Sequence, residues 1–358
     1  MKVVFVYLKA YSQTGGIEAF NNKFIKALHD IAIDNLDVRI LSLYDSNSNC
    51  ENLPDKIKFE GFNGKPISLF NSLVKLVDRE TMVFYGHINI APFAIFLYLS
   101  GLNKKAHFII HGIDVWKKFS FIKRIFFKNF KYLSVSNYTK TIFSSTNDIN
   151  LSNISIFPNC IDTLTTSNLN PFDTSKFNLL TVSRLDPSEG YKGIDSLIET
   201  IPFLIERIPN FKLTIIGKGD DKNRLIKIVE SLNVREYVDF KGFVETLEGY
   251  YEFCDLFSLP SSGEGFGIVY LEAMKYSKLV IAANAGGATD VIKHDVTGKL
   301  CLYGNIKCLS ETILNVHDHP KKHEEIGDSG KDYLMRNFTY EKFKERLSLI
   351  ISKEKSKL

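Results

Sequence analysis

Several absences narrow the field before any motif is considered. The five cysteines, Cys50, Cys160, Cys254, Cys301 and Cys308, are odd in number and form no CxxC pair. Neither a disulfide framework nor a zinc site is indicated, and a reducing compartment fits better. No uninterrupted apolar run is long enough to span a bilayer. The most membrane-like stretch, Met82–Leu99, is broken by Gly86, His87, Asn89 and Pro92, and it reads as a strand followed by a helix. The opening run Val3–Leu8 is shorter than the apolar segment of a signal peptide and leads into a glycine-containing turn. A soluble, cytoplasmic chain is therefore expected. The net charge is only +4, too small to suggest nucleic acid as a partner. There is no repeat of 20–50 residues and no low-complexity tract.

What is present is globular. The 358 residues are 44% apolar and 24% charged, and a single core stops growing at roughly 250–300 residues, so two domains are expected. Short β-branched and aromatic runs alternate with helical patterns, the mark of parallel-sheet α/β units. The first series has strands expected at Val3–Leu8, Val38–Leu43, Met82–Tyr85, His107–Ile110, Tyr132–Val135 and Ile154–Phe157. A turn-rich stretch, Thr163–Lys176, reads as the linker between domains. The second series is expected at Leu179–Val182, Leu213–Ile216, Val238–Phe240, Leu256–Leu259 and Leu279–Ala282. Helices are expected at Ile194–Arg207, Leu225–Leu232, Ile268–Tyr276 and Tyr340–Ser352. Two doubly wound domains facing one cleft is the architecture these patterns imply, with domains near 1–168 and 169–337.

Glycine-rich loops after strands carry the chemistry. Gly15-Gly16-Ile17-Glu18 follows the first strand and enters a helix, where free N–H groups suit an anion, although a plain tight turn would look the same. The loop lacks the GxGxxG spacing of a dinucleotide site. Arg184 at a strand end and Lys192 before a helix place two cations where a polyanion could meet them. Gly217 and Gly219 flank Lys218 directly after another strand, which suits either a nucleotide or an ordinary turn. The sharpest signal is Ser261-Ser-Gly-Glu-Gly-Phe-Gly-Ile-Val-Tyr-Leu-Glu-Ala-Met274. Glu264 sits in the loop and Glu272 follows after seven residues, one to two turns into a helix. The amides of Gly267, Ile268 and Val269 would face a bound phosphate, while the carboxylates could hold sugar and ribose hydroxyls. His87 and His111 close strand-like runs, where a structural histidine is also common.

Together these motifs resemble the retaining glycosyltransferase family 4, and the resemblance covers almost the whole chain. It rests on Gly15-Gly16-Ile17-Glu18, Arg184 with Lys192-Gly193, Gly217–Gly219, Gly242-Phe243, the Glu264–Glu272 pair, Gly286-Gly287 and the closing helix. Two positions depart from the family pattern: Cys160 stands for glycine in Pro158-Asn159-Cys160-Ile161-Asp162, and Gly286-Gly287-Ala288-Thr289-Asp290 replaces Gly-Gly-x-Pro-Glu. The resemblance implies the GT-B fold, with the C-terminal segment 338–358 crossing back to the first domain. It also implies hexosyl transfer from a nucleotide diphospho-sugar to a hydroxyl with the anomeric configuration retained. Arg184 and Lys192 would meet the diphosphate, Glu264 the donor sugar, Glu272 the ribose and His111 the sugar's far side. Gly15, Gly16, Gly217, Gly219, Phe243, Phe266, Gly267, Ile268 and Val269 would complete the donor site, with Glu18 and His87 on the acceptor side. The chain holds no Asp-x-Asp, so no metal and no cofactor beyond the donor are expected. A nucleotide-sugar epimerase, a phosphorylase or a non-catalytic nucleotide-sugar-binding protein would share the fold.

A second feature lies in residues 116–131, which carry six Lys/Arg and no acid. On a helical wheel, Trp116, Phe119, Ile122, Phe126, Phe127 and Phe130 share one side. A basic amphipathic helix there could lie on an anionic leaflet through Lys117, Lys118, Phe121, Lys123, Arg124 and Lys128, while an ordinary domain helix would show the same pattern. Residues 1–165 hold 19 Lys/Arg against 13 Asp/Glu, which favours contact through this half. Together with a saccharide or lipid-linked saccharide acceptor, this implies a peripheral position at the inner face of the membrane.

Overall fold

Near-continuous apolar runs such as Lys2–Tyr7, buried at every position after the first, are what a parallel sheet covered on both faces requires. The computed structural model describes residues 1–11, 15–32, 36–50, 57–162 and 164–356; Thr163, the first residue of the turn-rich stretch, lies outside them. The chain divides into two compact units, Met1–Cys160 with Tyr340–Leu358 and Ile161–Thr339.

The first unit holds a seven-stranded parallel sheet of β1 (Lys2–Tyr7), β2 (Asp37–Ser42), β3 (Lys58–Gly61), β4 (Met82–Tyr85), β5 (Lys105–Ile110), β6 (Lys131–Ser134) and β7 (Ile154–Ile156), in the order β3-β2-β1-β4-β5-β6-β7. Its helices are α1 (Gly16–Ile31), α2 (Pro66–Leu76), α3 (Ala91–Leu99), α4 (Phe121–Phe127) and α5 (Asn137–Asn147). The second unit holds β8 (Phe177–Val182), β9 (Phe211–Ile216), β10 (Val238–Gly242), β11 (Leu256–Leu259), β12 (Val280–Ala283) and β13 (Lys299–Cys301), in the order β10-β9-β8-β11-β12-β13. Around it lie α6 (Ile194–Ile205), α7 (Lys222–Ser231), α8 (Glu248–Phe253), α9 (Ile268–Lys275), α10 (Ala288–Val291), α11 (Ile306–Asp318) and α12 (Pro320–Asn337). In each sheet the strand order reverses beside the first strand of the unit, the switch point at which open α/β sheets bind ligands.

The last helix, α13 (Tyr340–Lys355), belongs to the first unit. Phe343 places its ring 5.4 Å from Phe20 and 4.5 Å from Phe157, and the Tyr340 hydroxyl donates to Asp30 Oδ2 at 2.7 Å. An ion pair between Lys131 and Glu354 ties its far end.

Two expectations need correction. The stretch read as a linker is part of the second unit. Ser167 N donates to Glu252 Oε2 at 2.6 Å and the Tyr276 hydroxyl donates to the Thr165 carbonyl at 2.6 Å, so residues 164–176 form a strap and the unit boundary falls at 160/161. The polar turn residues that suggested a linker are satisfied against α8 and the end of α9.

The basic segment is not one long helix. Only Phe121–Phe127 is helical; Trp116 lies before it, with its indole N–H donating to Thr139 Oγ1 at 3.2 Å, and Lys131 opens β6. Phe127 and Phe130 are buried as the wheel requires, but Ile122, on the same side of it, stands 67% exposed.

Strands β3 and β13 escaped the sequence reading. Each has three or four residues including a charge, lies at a sheet edge and lacks an apolar run.

Candidate functional site

In the second unit the carboxyl ends of β8, β9 and β11 bring three loops together. After β9, Gly217 and Gly219 have φ of +147° and +153°, and an added Cβ would lie 1.7 Å from the Ser183 carbonyl and 1.9 Å from the Leu185 carbonyl. Only glycine lets the two loops lie backbone against backbone there. Leu185 N donates to the Lys218 carbonyl at 3.0 Å, sealing them. The geometry therefore accounts for both glycines by loop packing, whatever ligand the loops hold.

Arg184 leaves the first of these loops 69% exposed and pairs with Glu189. Lys192 ends the short helical turn Pro187–Lys192 and donates from Nζ to Glu264 Oε1 at 2.6 Å. Both side chains of that pair are largely buried. The loop carrying Glu264 is clasped from behind: Gly287 N donates to the Glu264 carbonyl at 2.6 Å, and a Cβ on Gly287 would lie 2.3 Å from the Gly265 carbonyl. The glycine pair of Gly286-Gly287-Ala288-Thr289-Asp290 thus retains its packing despite the departure in its last residues.

The chain enters α9 through Gly267, so the amides of Gly267, Ile268 and Val269 open the helix. Phe266 is buried, its ring 5.5 Å from that of Phe338. Its side chain is part of the core, so any contact it makes with a ligand would come from its backbone. Phe243, 55% exposed after β10, has Lys218 Nζ 5.1 Å from its ring centroid.

Glu272 lies in the fifth position of α9. Burial pushes its carboxyl up, while the Tyr251 hydroxyl, donating to Oε2 at 2.6 Å, works in the other direction. Tyr251 and Glu189 were not singled out in the sequence. Their partners lie 21 and five residues away, and no spacing rule signals either contact.

The first unit gathers a different set. Gly15 and Gly16 open α1, and Glu18 lies 3.4 Å from Lys9 Nζ. His87 caps the short turn after β4, its Nδ1 accepting from Asn89 N at 3.1 Å, and burial lowers its pKa despite Glu18. His111, after β5, sits 3.0 Å by Nε2 from the Gly86 carbonyl and edge-on to Phe20 at 5.1 Å. A carbonyl can only accept, so Nε2 carries the proton. Burial holds the ring neutral, with its pKa down to about 3, and Nδ1 is left as an acceptor. Asp114, three residues on, is pushed up to about 7 by burial, and its Oδ2 is buried without a hydrogen-bond partner. Among the described residues no three His, Cys, Asp or Glu side chains are grouped to hold a metal ion, and no helix is long and apolar enough to cross a membrane.

Known proteins resemble this chain in both sequence and fold. Residues 165–333 match the model described as glycosyl transferases group 1. The second unit, Ile161–Thr339, thus carries a glycosyl transferases group 1 segment over nearly its whole length. An uncharacterized glycosyltransferase of Haemophilus influenzae is 23% identical, covering 92% of this chain and 95% of its own. A GDP-mannose-dependent alpha-(1-6)-phosphatidylinositol monomannoside mannosyltransferase of Mycolicibacterium smegmatis is 29% identical, but over only 48% of this chain and 46% of its own. Among solved structures, Anabaena Alr3699/HepE in complex with UDP superposes with a TM-score of 0.80 at 20% identity, covering 99% of this chain and 100% of the other. The fold is therefore GT-B, as the motifs implied.

Proposed function

We propose that this glycosyltransferase moves a hexosyl unit from a UDP- or GDP-sugar to a saccharide or lipid-linked saccharide hydroxyl, retaining the anomeric configuration and using no metal. The observation that carries the reading is the convergence of Lys192 and Glu264 at the N-terminal end of α9. One cation, one carboxylate and the amides that open the helix are the kinds of group a sugar diphosphate calls for. Lys192 and Arg184 take the diphosphate, exchanging a protein carboxylate for phosphate oxygen. Glu264 then turns its acceptor oxygens to the donor sugar, and Glu272 accepts from the ribose. Phe243 offers an exposed ring to the base. In the first unit, neutral His111 accepts from a sugar hydroxyl through Nδ1, with Glu18 and His87 assigned to the acceptor. The bond from the anomeric carbon to the leaving phosphate oxygen breaks as the acceptor oxygen bonds on the same face, and that phosphate oxygen takes the acceptor proton.

The same reading places the enzyme in cell-surface polysaccharide or glycolipid synthesis, docked peripherally on the inner face of the membrane. What supports docking is the α4 face. Phe121, Ile122 and Ile125 are 70%, 67% and 48% exposed, in a segment carrying Lys117, Lys118, Lys123 and Lys128. Arg124 is engaged by Asp148 and contributes less than the lysines.

Transfer is tested with UDP- and GDP-sugars in the presence of EDTA, with the product anomer read by NMR. An axial donor giving an axial product, undiminished by chelation, is expected. An inverted product or a strict divalent-ion requirement overturns the corresponding part of the reading.

A further inference from the structure

Glu272 is a partly buried carboxylate on a flexible side chain, and something must hold it if it is to present a defined acceptor to a ligand. The structure supplies that hold from a neighbouring helix. Tyr251 occupies the middle of α8, with its ring buried 5.6 Å from that of Phe257, and its hydroxyl donates to Glu272 Oε2 at 2.6 Å. It is the carboxylate's one side-chain hydrogen-bond partner among the described residues. Burial keeps the phenol protonated, so it can only donate to the carboxylate. One oxygen is thereby occupied and Oε1 is left to accept.

We infer that Tyr251 is a positioning residue for the nucleotide: it fixes Glu272 so that Oε1 receives the hydroxyls of the ribose. This rests on the donor reading above and assigns discrimination between ribose and deoxyribose to a residue outside the glycine-rich loops. A ribose diol has hydroxyls to donate, and a deoxyribose leaves the aligned acceptor with one donor fewer. Tyr251 also favours the ionised form. Around the carboxyl, Tyr251 and Lys275 lower its pKa while burial and Glu248 raise it, and Tyr276 carries no charge because burial pushes its phenol up. Removing the Tyr251 hydroxyl should make the carboxyl take a proton at higher pH.

The experiment is calorimetric titration of the full chain with UDP, GDP, ADP and their 2′-deoxy and 3′-deoxy forms across pH 4–8. Wild type, Tyr251→Phe and Glu272→Gln are compared, with melting temperatures measured without ligand. Wild type should prefer the ribonucleotide over one deoxy form by about tenfold. Tyr251→Phe should weaken ribonucleotide binding about tenfold, leave that deoxy form nearly unchanged, and move the acid loss of binding to higher pH. If Tyr251→Phe lowers only the melting temperature and keeps both the preference and the pH profile, the hydroxyl is structural and the inference fails. A wild type that binds no nucleotide, or that binds ribo and deoxy forms equally, overturns the donor reading itself.

Discussion

The two units share one plan, a parallel sheet with its helices, but they finish their strands differently. In the second unit the strand ends meet as backbone on backbone, through glycines with no room for a methyl group, and the charged side chains there are paired with each other. In the first, the strand ends carry His87, His111 and Asp114, titratable groups shifted by burial, and one helix shows apolar residues to solvent. The family model covers residues 165–333, almost the second unit alone. A rigid loop scaffold with exchangeable ion pairs suits a ligand part that is the same in many reactions, whereas buried polar groups and an exposed apolar helix suit the part that differs.

The strongest way to break this contrast is a methyl group in each unit. Gly217→Ala puts a carbon 1.7 Å from a carbonyl oxygen at φ +147°, and it should cost about 4 kcal/mol or more. Gly16→Ala meets nothing within 4 Å and should change stability by no more than about 1 kcal/mol. Urea unfolding of both variants checks this, and equal effects would remove the distinction between the loops.

Lys192→Ala comes next. It removes the cation proposed for the diphosphate together with the partner of Glu264, and should lower kcat/KM by ~10²-fold or about 3 kcal/mol. Arg184→Ala should act in the same direction. Wild-type kcat/KM in either variant would contradict the assignment of that cation. Glu272→Ala should instead raise the donor KM.

Asp114→Asn probes the first unit through pH. A folded pKa raised to about 7 means the folded state binds more protons than the unfolded chain between about pH 4 and 7. Wild type should therefore lose stability from this group as pH rises through that window, and the asparagine variant should not. Melting curves at pH 4 and pH 8 read the difference, and parallel pH dependence of the two proteins would sink the idea.

The smallest effect concerns the membrane. Lys123→Glu with Lys128→Glu should weaken binding to phosphatidylglycerol vesicles by roughly 1 kcal/mol per cation at low salt. Equal flotation with neutral vesicles would leave the α4 lysines without that role.

Much of the fold was legible because parallel strands buried on both faces write long β-branched runs. Met82–Tyr85 and Leu256–Leu259 were read to the residue. The edge strands β3 and β13 were not, since a short edge strand with a charge in it has no such run. The loops of the candidate site were legible where glycine spacing marks them. The Tyr251–Glu272 bond was hidden because it joins two helices, and Glu189 was hidden because a glutamate on a turn looks like any solvated charge. The 116–131 wheel failed for a related reason: periodicity tells which residues would share a face but not that the helix stops after seven residues.

The most direct test of the central claim, that the second unit is a nucleotide-sugar site built on Lys192 and Glu264, is a thermal-shift panel of UDP-, GDP- and ADP-sugars on wild type and Lys192→Ala. A UDP- or GDP-sugar at 100 times its dissociation constant should stabilise wild type by about 2.7 kcal/mol, and most of that gain should vanish in the variant. If none of the sugars stabilises wild type, or if Lys192→Ala responds as wild type does, the account is contradicted.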